Sequence, residues 1–353
     1  MDISEIATPV LAVDRKALER NLDAMDGLLA KLPMKLYPHY KSNKCLEIAK
    51  MQLARGAGGI TCAKVSEAED LVDGGVKTVV LANQVVQPEK VARLAALARR
   101  ADVTVCVDDA ANVAELERAA SAADSRMRAF VEFEVGLNRC GVETEGEVVA
   151  LAHAVAACRH LDFDGLQAYA GQLSHEADAG KRRAAALGIE DRVRRVKTAV
   201  EAAGLPCRNV AGASTGTVAD KGPDTPYTQL QAGSYVFMDS TYAELGLPFV
   251  QSLYVLARVL SVRPGRVVLD GGVKSFTMDQ HPPTLPDLPG VRFELNEEHT
   301  ILFGDGLGLG PNDIVRIVPG HCCTTVNCHD WLYVVDGGEV VDRWRITSRG
   351  RSQ

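Results

Sequence analysis

The sequence predicts an α/β protein: a TIM-like (β/α)8 barrel followed by a mainly β C-terminal domain. Up to about residue 240, short β-rich apolar runs alternate with amphipathic helical stretches. This alternation requires parallel strands joined by helical crossovers. After Asp239 the helical periodicity fades, and Pro- and Gly-rich turns separate the remaining apolar runs. We therefore expect residues 14–240 to form the barrel and residues 241–353, together with 1–13, to form the β domain.

Eight β-rich runs predict the barrel strands, namely residues 35–41, 59–62, 78–81, 103–107, 128–134, 163–169, 207–211 and 230–237. The helices between them begin with residues 14–32, where apolar side chains recur at helical spacing. Ser66 is a candidate hydroxyl cap of a later helix, and Pro88 stands early in the first turn of another. Eight such units fit a closed barrel better than an open doubly wound sheet.

In the C-terminal third, residues 253–262, 266–269, 314–318 and 331–335 predict strands, and residues 281–290 predict a loop. The glycine-rich run from Gly304 to Gly310 is similar in spacing to a dinucleotide-binding fingerprint. No helical pattern follows it, because Pro311, Asn312 and Asp313 lead into a β-rich run. Without a strand, a glycine turn and a helix in that order the fingerprint fails, so the run predicts a turn.

Composition limits the classes of partner. The 353 residues carry a formal charge of -7, which argues against nucleic acid as the main partner because phosphate binding needs a basic face. No apolar run reaches the roughly 20 residues needed to cross a bilayer, so no membrane partner is expected. The first residues lack the pattern of a secretory signal. Nine cysteines, an odd number mostly placed in apolar runs, predict reduced thiols in a cytoplasmic protein.

Lys41 is the first candidate for chemistry, because it follows the first barrel strand and active sites of such barrels lie at the strands' C-terminal ends. A neutral amine there can form a Schiff base with an aldehyde cofactor; the alternative is a surface lysine. Small residues at 212–217 and 231–235 follow or lie on the last two barrel strands, where backbone N–H groups often bind phosphate. The alternative is a pair of glycine turns. A lysine opposite a phosphate site is the arrangement that pyridoxal 5'-phosphate (PLP) needs.

His321 and Cys323 are candidate metal ligands. In a strand, residues two apart face the same side, so these two can share one ion while Cys322 points away. Imidazole plus thiolate suits zinc and tolerates other divalent metals. A core cysteine pair beside a structural histidine explains the same residues equally well. Tyr169 and His175 flank the end of the sixth strand, where they could contact a cofactor ring and accept a proton, or be ordinary boundary residues.

Short motifs spread over nearly the whole chain resemble the group of D-threonine aldolases and 3-hydroxy-D-aspartate aldolases, within the alanine-racemase-like, fold type III PLP enzymes. The matching segments are residues 38–41, 64–69, 105–108, 138–142, 166–169, 229–239, 270–275, 296–299 and 319–331. Their order along the chain is the order found in the family. The resemblance implies a barrel of the alanine racemase N-terminal type, a C-terminal β domain and a homodimer.

The resemblance also implies roles for individual residues. Lys41 would be the Schiff-base lysine, and His175 the base that removes the β-hydroxyl proton. His321 and Cys323 would hold a divalent metal (Mn, Mg or Zn). The cofactor-binding positions would be Lys41, His39, Tyr169, Arg139, Ser214, Thr215, Gly216, Gly233, Ser234 and Tyr235.

Four positions depart from the family pattern. Tyr37 replaces an arginine, Asn43 replaces a histidine, and Ala213 with Ser214 stand where glycines are common. Cys323 stands where the aldolases usually have aspartate, as in the related D-serine dehydratases.

These features predict a PLP- and metal-dependent lyase that cleaves D-3-hydroxy amino acids, such as D-threonine, to glycine and an aldehyde through a carbanion on the cofactor. The alternative is a D-serine or 3-hydroxy-D-aspartate dehydratase, which rests mainly on Cys323. A third interpretation is a non-catalytic PLP-binding protein. Such proteins resemble only the barrel, so the additional β domain argues against this interpretation. The sequence does not specify the substituent on the β-carbon of the substrate.

Overall fold

A computed structural model describes residues 1–353. The strands, numbered in chain order, are β1 Val10–Asp14, β2 Lys35–Leu36, β3 Ile60–Cys62, β4 Thr78–Leu81, β5 Asp102–Val107, β6 Met127–Glu132, β7 Leu161–Ala168, β8 Asn209–Gly212, β9 Gln229–Leu230, β10 Leu253–Arg263, β11 Arg266–Leu269, β12 Arg292–Leu295, β13 Thr300–Phe303, β14 Ile314–Ile317, β15 Trp331–Asp336 and β16 Glu339–Arg345. The helices are α1 Arg15–Leu29, α2 Leu46–Ala54, α3 Val65–Asp73, α4 Pro88–Leu97, α5 Ala110–Ala122, α6 Glu145–Ala156, α7 Ala179–Ala202, α8 Ser240–Ala243 and α9 Cys322–Val326.

Two compact units make up the chain. The first contains Met1–Met25, Ser42–Glu47 and Ser234–Gly350, and we call it the β unit. The second contains Asp26–Lys41, Ile48–Gly233 and Arg351–Gln353, and we call it the barrel unit. Compared with the boundaries expected after residues 13 and 240, the β unit takes in more of the N-terminus and a short piece around Asn43. No helix of the structure combines the length and the apolar character needed to cross a membrane.

The barrel unit contains eight parallel strands in the order β2-β9-β8-β7-β6-β5-β4-β3. Hydrogen bonds between the β2 region and the β3 region close the barrel. The Gly58 amide donates to Leu36 O at 2.8 Å, and the Thr61 amide donates to Pro38 O at 2.9 Å. The strand interiors are almost wholly buried apolar residues, as expected for a parallel sheet covered on both faces. The predicted (β/α)8 fold is therefore confirmed.

Two predicted strands are much shorter than expected. Of residues 35–41 only Lys35–Leu36 pair as a strand, and of residues 230–237 only the first residue belongs to β9. Both runs turn into single 3-10 turns, at Tyr40–Ser42 and Ser234–Val236. A buried apolar run cannot by itself distinguish strand from helical turn, which explains the overestimate. The Ser66 cap is also wrong: α3 begins one residue earlier, at Val65, and the Ser66 hydroxyl has no hydrogen-bond partner.

The β unit is built on a second, mostly antiparallel sheet in the order β12-β13-β11-β10-β1-β15-β16, with β14 paired to β10. Strand β1 lies between β10, to which it is antiparallel, and β15, to which it is parallel. The predicted mainly β character of the C-terminal region is confirmed. The 304–310 run forms neither helix nor strand, in agreement with the predicted turn.

Candidate functional site

A cavity of about 160 Å³ opens at the carboxyl ends of the barrel strands. Its lining residues are His39, Lys41, Ala63, Ala82, Asn83, Arg139, Gln167, Tyr169 and Gln231. All of them belong to the barrel unit. A cavity of this size admits an aromatic ring. Four of the predicted site residues, Lys41, His39, Arg139 and Tyr169, therefore meet in one place.

Lys41 lies in the turn Tyr40–Ser42 that follows β2. The neighbouring Tyr40 is fully buried, and its hydroxyl donates to Asp70 at 2.8 Å, which anchors the turn to α3. The Lys41 ammonium lies 5.9 Å from the centre of the Tyr169 ring. The amine thus points into the cavity instead of extending over the surface.

His39 is held as a neutral imidazole. Burial, together with the positive charges of Lys41 and Arg139, lowers its pKa well below the ordinary histidine value. Its Nδ1 accepts the Lys41 amide at 3.4 Å. A neutral imidazole with Nδ1 as acceptor carries its proton on Nε2, so His39 can donate one hydrogen bond from that atom.

Arg139 lies 5.6 Å from the centre of the Tyr169 ring, and its guanidinium pairs with Glu132 at 3.4 Å. Glu132 is a buried carboxylate at the end of β6, and Gln84 also donates to it, at 2.7 Å. Burial raises the pKa of Glu132 although these donors oppose the shift. The guanidinium of Arg139, whose side chain is 47% exposed, therefore lines the cavity with a buried carboxylate as its partner.

Two buried amides that the sequence analysis missed form part of the cavity wall. Gln167 and Gln231 exchange two hydrogen bonds, with N···O distances of 2.7 and 2.9 Å. Each stands at or just after the end of a strand, β7 for Gln167 and β9 for Gln231. A polar residue at the end of a buried apolar run was the available signal, because strand ends supply barrel active sites.

The predicted phosphate loop after β8 is tightly folded. Ser214 and Thr215 are buried, and the Ser214 amide donates to Thr217 Oγ1 at 3.0 Å. Gly216 has no room for a side chain, because a β-carbon there would lie 2.1 Å from the carbonyl oxygen of Ser174. The whole loop is buried, and the Ser214 amide is already bonded within it. These residues do not line the cavity around Lys41.

The other predicted cofactor positions are distributed between the units. Gly233 is buried at the last position of the barrel unit's main segment, and Ser234 and Tyr235 are buried in the β unit. The Ser234 hydroxyl lies 3.6 Å from the Cys323 thiol. His175 is exposed after the turn Gly171–Leu173 and is absent from the cavity lining. Tyr37 and Asn43, two departures from the family pattern, also lie outside the lining.

The candidate metal ligands lie together in the β unit, but not for the predicted reason. Cys322–Val326 form the short helix α9, with His321 immediately before it, so the segment is not a strand. The helix begins there because Asp239, fully buried, accepts the Cys322 amide at 2.8 Å. The turn buries Cys322 and leaves Cys323 partly exposed.

The His321 imidazole hydrogen-bonds the Cys323 thiol, and its Nδ1 lies 2.8 Å from Asp279 Oδ2. Burial alone would lower the pKa of His321, but these two partners raise it to about 9. The Cys323 thiol also donates to the Ser42 hydroxyl at 3.2 Å. The structure contains no group of three or more His, Cys, Asp or Glu side chains arranged to hold a metal ion. Any ion held by His321 and Cys323 would take its remaining ligands from water or substrate.

Comparison with known proteins gives consistent results for both parts of the chain. Residues 13–241 match the model of the alanine racemase N-terminal domain, and residues 252–335 match a domain model named for serine dehydratases. The chain is 38% identical to the D-threonine aldolase of Arthrobacter sp, over 99% of this chain and 95% of the relative. It is 37% identical to the 3-hydroxy-D-aspartate aldolase of Paracoccus denitrificans, over 99% and 94%.

A solved structure, the D-threonine aldolase from Filomicrobium marinum, superposes with a TM-score of 0.97 at 38% identity, covering 100% of this chain and 98% of the other. Similarity to the D-threo-3-hydroxyaspartate dehydratase of Delftia sp. is lower, at 27% identity over 90% of this chain and 91% of the relative. The resemblance drawn from the sequence motifs is confirmed.

Proposed function

Because the chain belongs to the family of D-threonine aldolase and 3-hydroxy-D-aspartate aldolase, carbon–carbon lyases built on the alanine racemase N-terminal domain, we propose that it cleaves D-3-hydroxy amino acids to glycine and an aldehyde. The reaction uses PLP and a divalent metal. The observation that carries the proposal is the similarity to two enzymes named as aldolases over 99% of this chain.

The cavity of the barrel unit fits the aromatic ring of PLP. Lys41 supplies the amine for a covalent bond to the cofactor's aldehyde, Tyr169 supplies an aromatic face, and Arg139 and His39 supply hydrogen-bond donors. The loop from Ser214 to Gly216 is the proposed phosphate-binding segment, through the backbone N–H groups of Thr215 and Gly216, because the Ser214 amide already donates to Thr217 Oγ1 at 3.0 Å. When bound, PLP supplies a conjugated, electron-withdrawing ring that stabilises negative charge on the substrate's α-carbon.

Side chains of the protein bind the substrate and cofactor and accept the proton. Arg139, which pairs with Glu132 at 3.4 Å, offers a cation to a carboxylate of the substrate or to the cofactor. His39, neutral because of burial and the nearby cations, can donate a hydrogen bond without adding a charge to the cavity. His175 remains the proposed acceptor of the β-hydroxyl proton; its side chain is exposed and lies outside the cavity lining.

The donor set of the β unit fits a divalent metal. A bound divalent ion supplies a Lewis acid that lowers the pKa of a coordinated hydroxyl. His321 and Cys323 provide one imidazole and one thiol within hydrogen-bonding distance of each other. Nitrogen and sulfur ligands favour zinc over magnesium or manganese, which prefer oxygen. A homodimer completes the proposal, as the family resemblance implies.

The experiment that tests the proposed function is incubation of the purified enzyme, supplied with PLP and zinc, with D-threonine, D-3-hydroxyaspartate and D-serine. We expect glycine and the matching aldehyde from D-threonine or D-3-hydroxyaspartate, and no product from the L-enantiomers. A keto acid with ammonia would instead identify a dehydratase, the second candidate. That candidate is favoured by one observation, the thiol of Cys323 in place of a carboxylate. Retention of PLP without turnover of any of these compounds would contradict both.

A further inference from the structure

The His321 imidazole has a second partner that the proposed function does not use. Asp279 lies 42 residues earlier in the chain, and its Oδ2 is 2.8 Å from His321 Nδ1. Its other oxygen, Oδ1, accepts the Thr324 hydroxyl at 2.7 Å. Both carboxylate oxygens are therefore occupied, and the carboxylate can rotate little relative to the ring.

The segment that carries Asp279 is hydrogen-bonded to residues on either side of His321. The Gly320 amide donates to Thr277 O at 3.0 Å, and the Thr277 amide donates to Thr325 Oγ1 at the same distance. A β-carbon on Gly320 would lie 1.7 Å from the carbonyl oxygen of His281. Only glycine at that position lets the segment pass so close to His321.

We propose that Asp279 is a positioning residue for the metal: it holds the His321 imidazole with the proton on Nδ1 and the lone pair of Nε2 available to the ion. This inference rests on the proposed function. A neutral imidazole has one protonated and one acceptor nitrogen, and the hydrogen bond made by one nitrogen decides the state of the other. A carboxylate at Nδ1 accepts that proton, which orients the ring and makes Nε2 a better ligand.

The alternative is that Asp279 only ties its loop to α9. The Asp279 side chain is 46% exposed, so the ion pair by itself contributes little to stability. The two roles predict different outcomes. A tie between loop and helix affects the unfolding temperature of the metal-free chain, whereas a positioning role affects metal affinity.

The test is a zinc titration of the full-length, metal-stripped protein against a competing chromophoric chelator. We expect Asp279→Ala to weaken zinc binding by about 10–100-fold. Asp279→Asn should recover most of the affinity, because the amide oxygen can still accept the Nδ1 proton. Asp287→Asn is the matched control: it removes a 45% exposed carboxylate from the same connection between β11 and β12, but this carboxylate pairs with Arg316 on β14 and not with His321.

The zinc-induced rise in unfolding temperature is the second measurement. It should shrink in Asp279→Ala, while the unfolding temperature of the metal-free variant stays close to that of the metal-free wild type. Zinc affinities of Asp279→Ala and wild type within twofold of each other would overturn this inference alone. A wild-type protein that binds no zinc would overturn it together with the metal part of the proposed function.

Discussion

Lys41 owes its position to neighbours that the sequence motif does not contain. The Tyr40–Asp70 hydrogen bond anchors its turn, and the Tyr169 ring lies 5.9 Å from its ammonium. A lysine after the first barrel strand could be predicted from the chain, because barrel active sites lie at strand ends. The pairing of Gln167 with Gln231 could not be predicted, since an amide at the end of an apolar run gives no sign of the residue 64 positions away with which it exchanges hydrogen bonds.

Replacement of Lys41 by alanine should remove the visible absorption of the bound cofactor and lower kcat by more than about 10³-fold, the order of loss expected when a covalent catalytic group is deleted. Lys41→Arg is the control, since it keeps the positive charge but cannot form a Schiff base. Both variants should lose the visible absorption and the turnover. An unchanged absorption spectrum and turnover in Lys41→Ala would remove this lysine from the site.

At the scale of secondary structure, the parallel strands β3 to β8 were predictable within one or two residues because each is a short apolar run bounded by turns. The 3-10 turns at Tyr40–Ser42 and Ser234–Val236 were not, and neither was α9. Helix α9 depends on a long-range contact, because Asp239 accepts the Cys322 amide, 83 residues away. The same carboxylate accepts the Tyr242 amide in the first turn of α8, which Asp239 caps. No local sequence pattern around His321 indicates a helix cap supplied by a distant residue, so a strand was predicted there.

Asp239→Ala should therefore lower the free energy of unfolding by about 2–6 kcal/mol, because two buried N–H groups lose their acceptor at about 1–3 kcal/mol each. Asp239→Asn keeps one acceptor oxygen and should lose less. Asp73→Asn, which removes a 61% exposed carboxylate paired with Arg100, should change stability by no more than about 0.5 kcal/mol. Denaturant unfolding monitored by circular dichroism measures all three. Equal midpoints for Asp239→Ala and wild type would refute the proposed capping role.

At the scale of the whole molecule, the two candidate groups of functional residues belong to different compact units. Lys41, His39, Arg139 and Tyr169 belong to the barrel unit, and His321 and Cys323 belong to the β unit. The alternation of strands and helices predicted the first unit, and its loss after Asp239 predicted the second. The reaction class was predictable only from motifs spread along both, because neither periodicity nor composition carries chemistry.

This division makes the metal and the cofactor separable in an experiment. Treatment with a strong chelator should abolish turnover, since the proposed reaction needs a Lewis acid for the β-hydroxyl. It should leave the visible absorption of the cofactor unchanged, since no cofactor-binding residue of the barrel cavity contributes a metal ligand. Zinc should restore activity at lower concentration than manganese or magnesium, because a thiolate is a soft ligand. Full turnover in protein shown to be metal-free would reject the metal's role, and simultaneous loss of the absorption band would show that the two sites depend on each other.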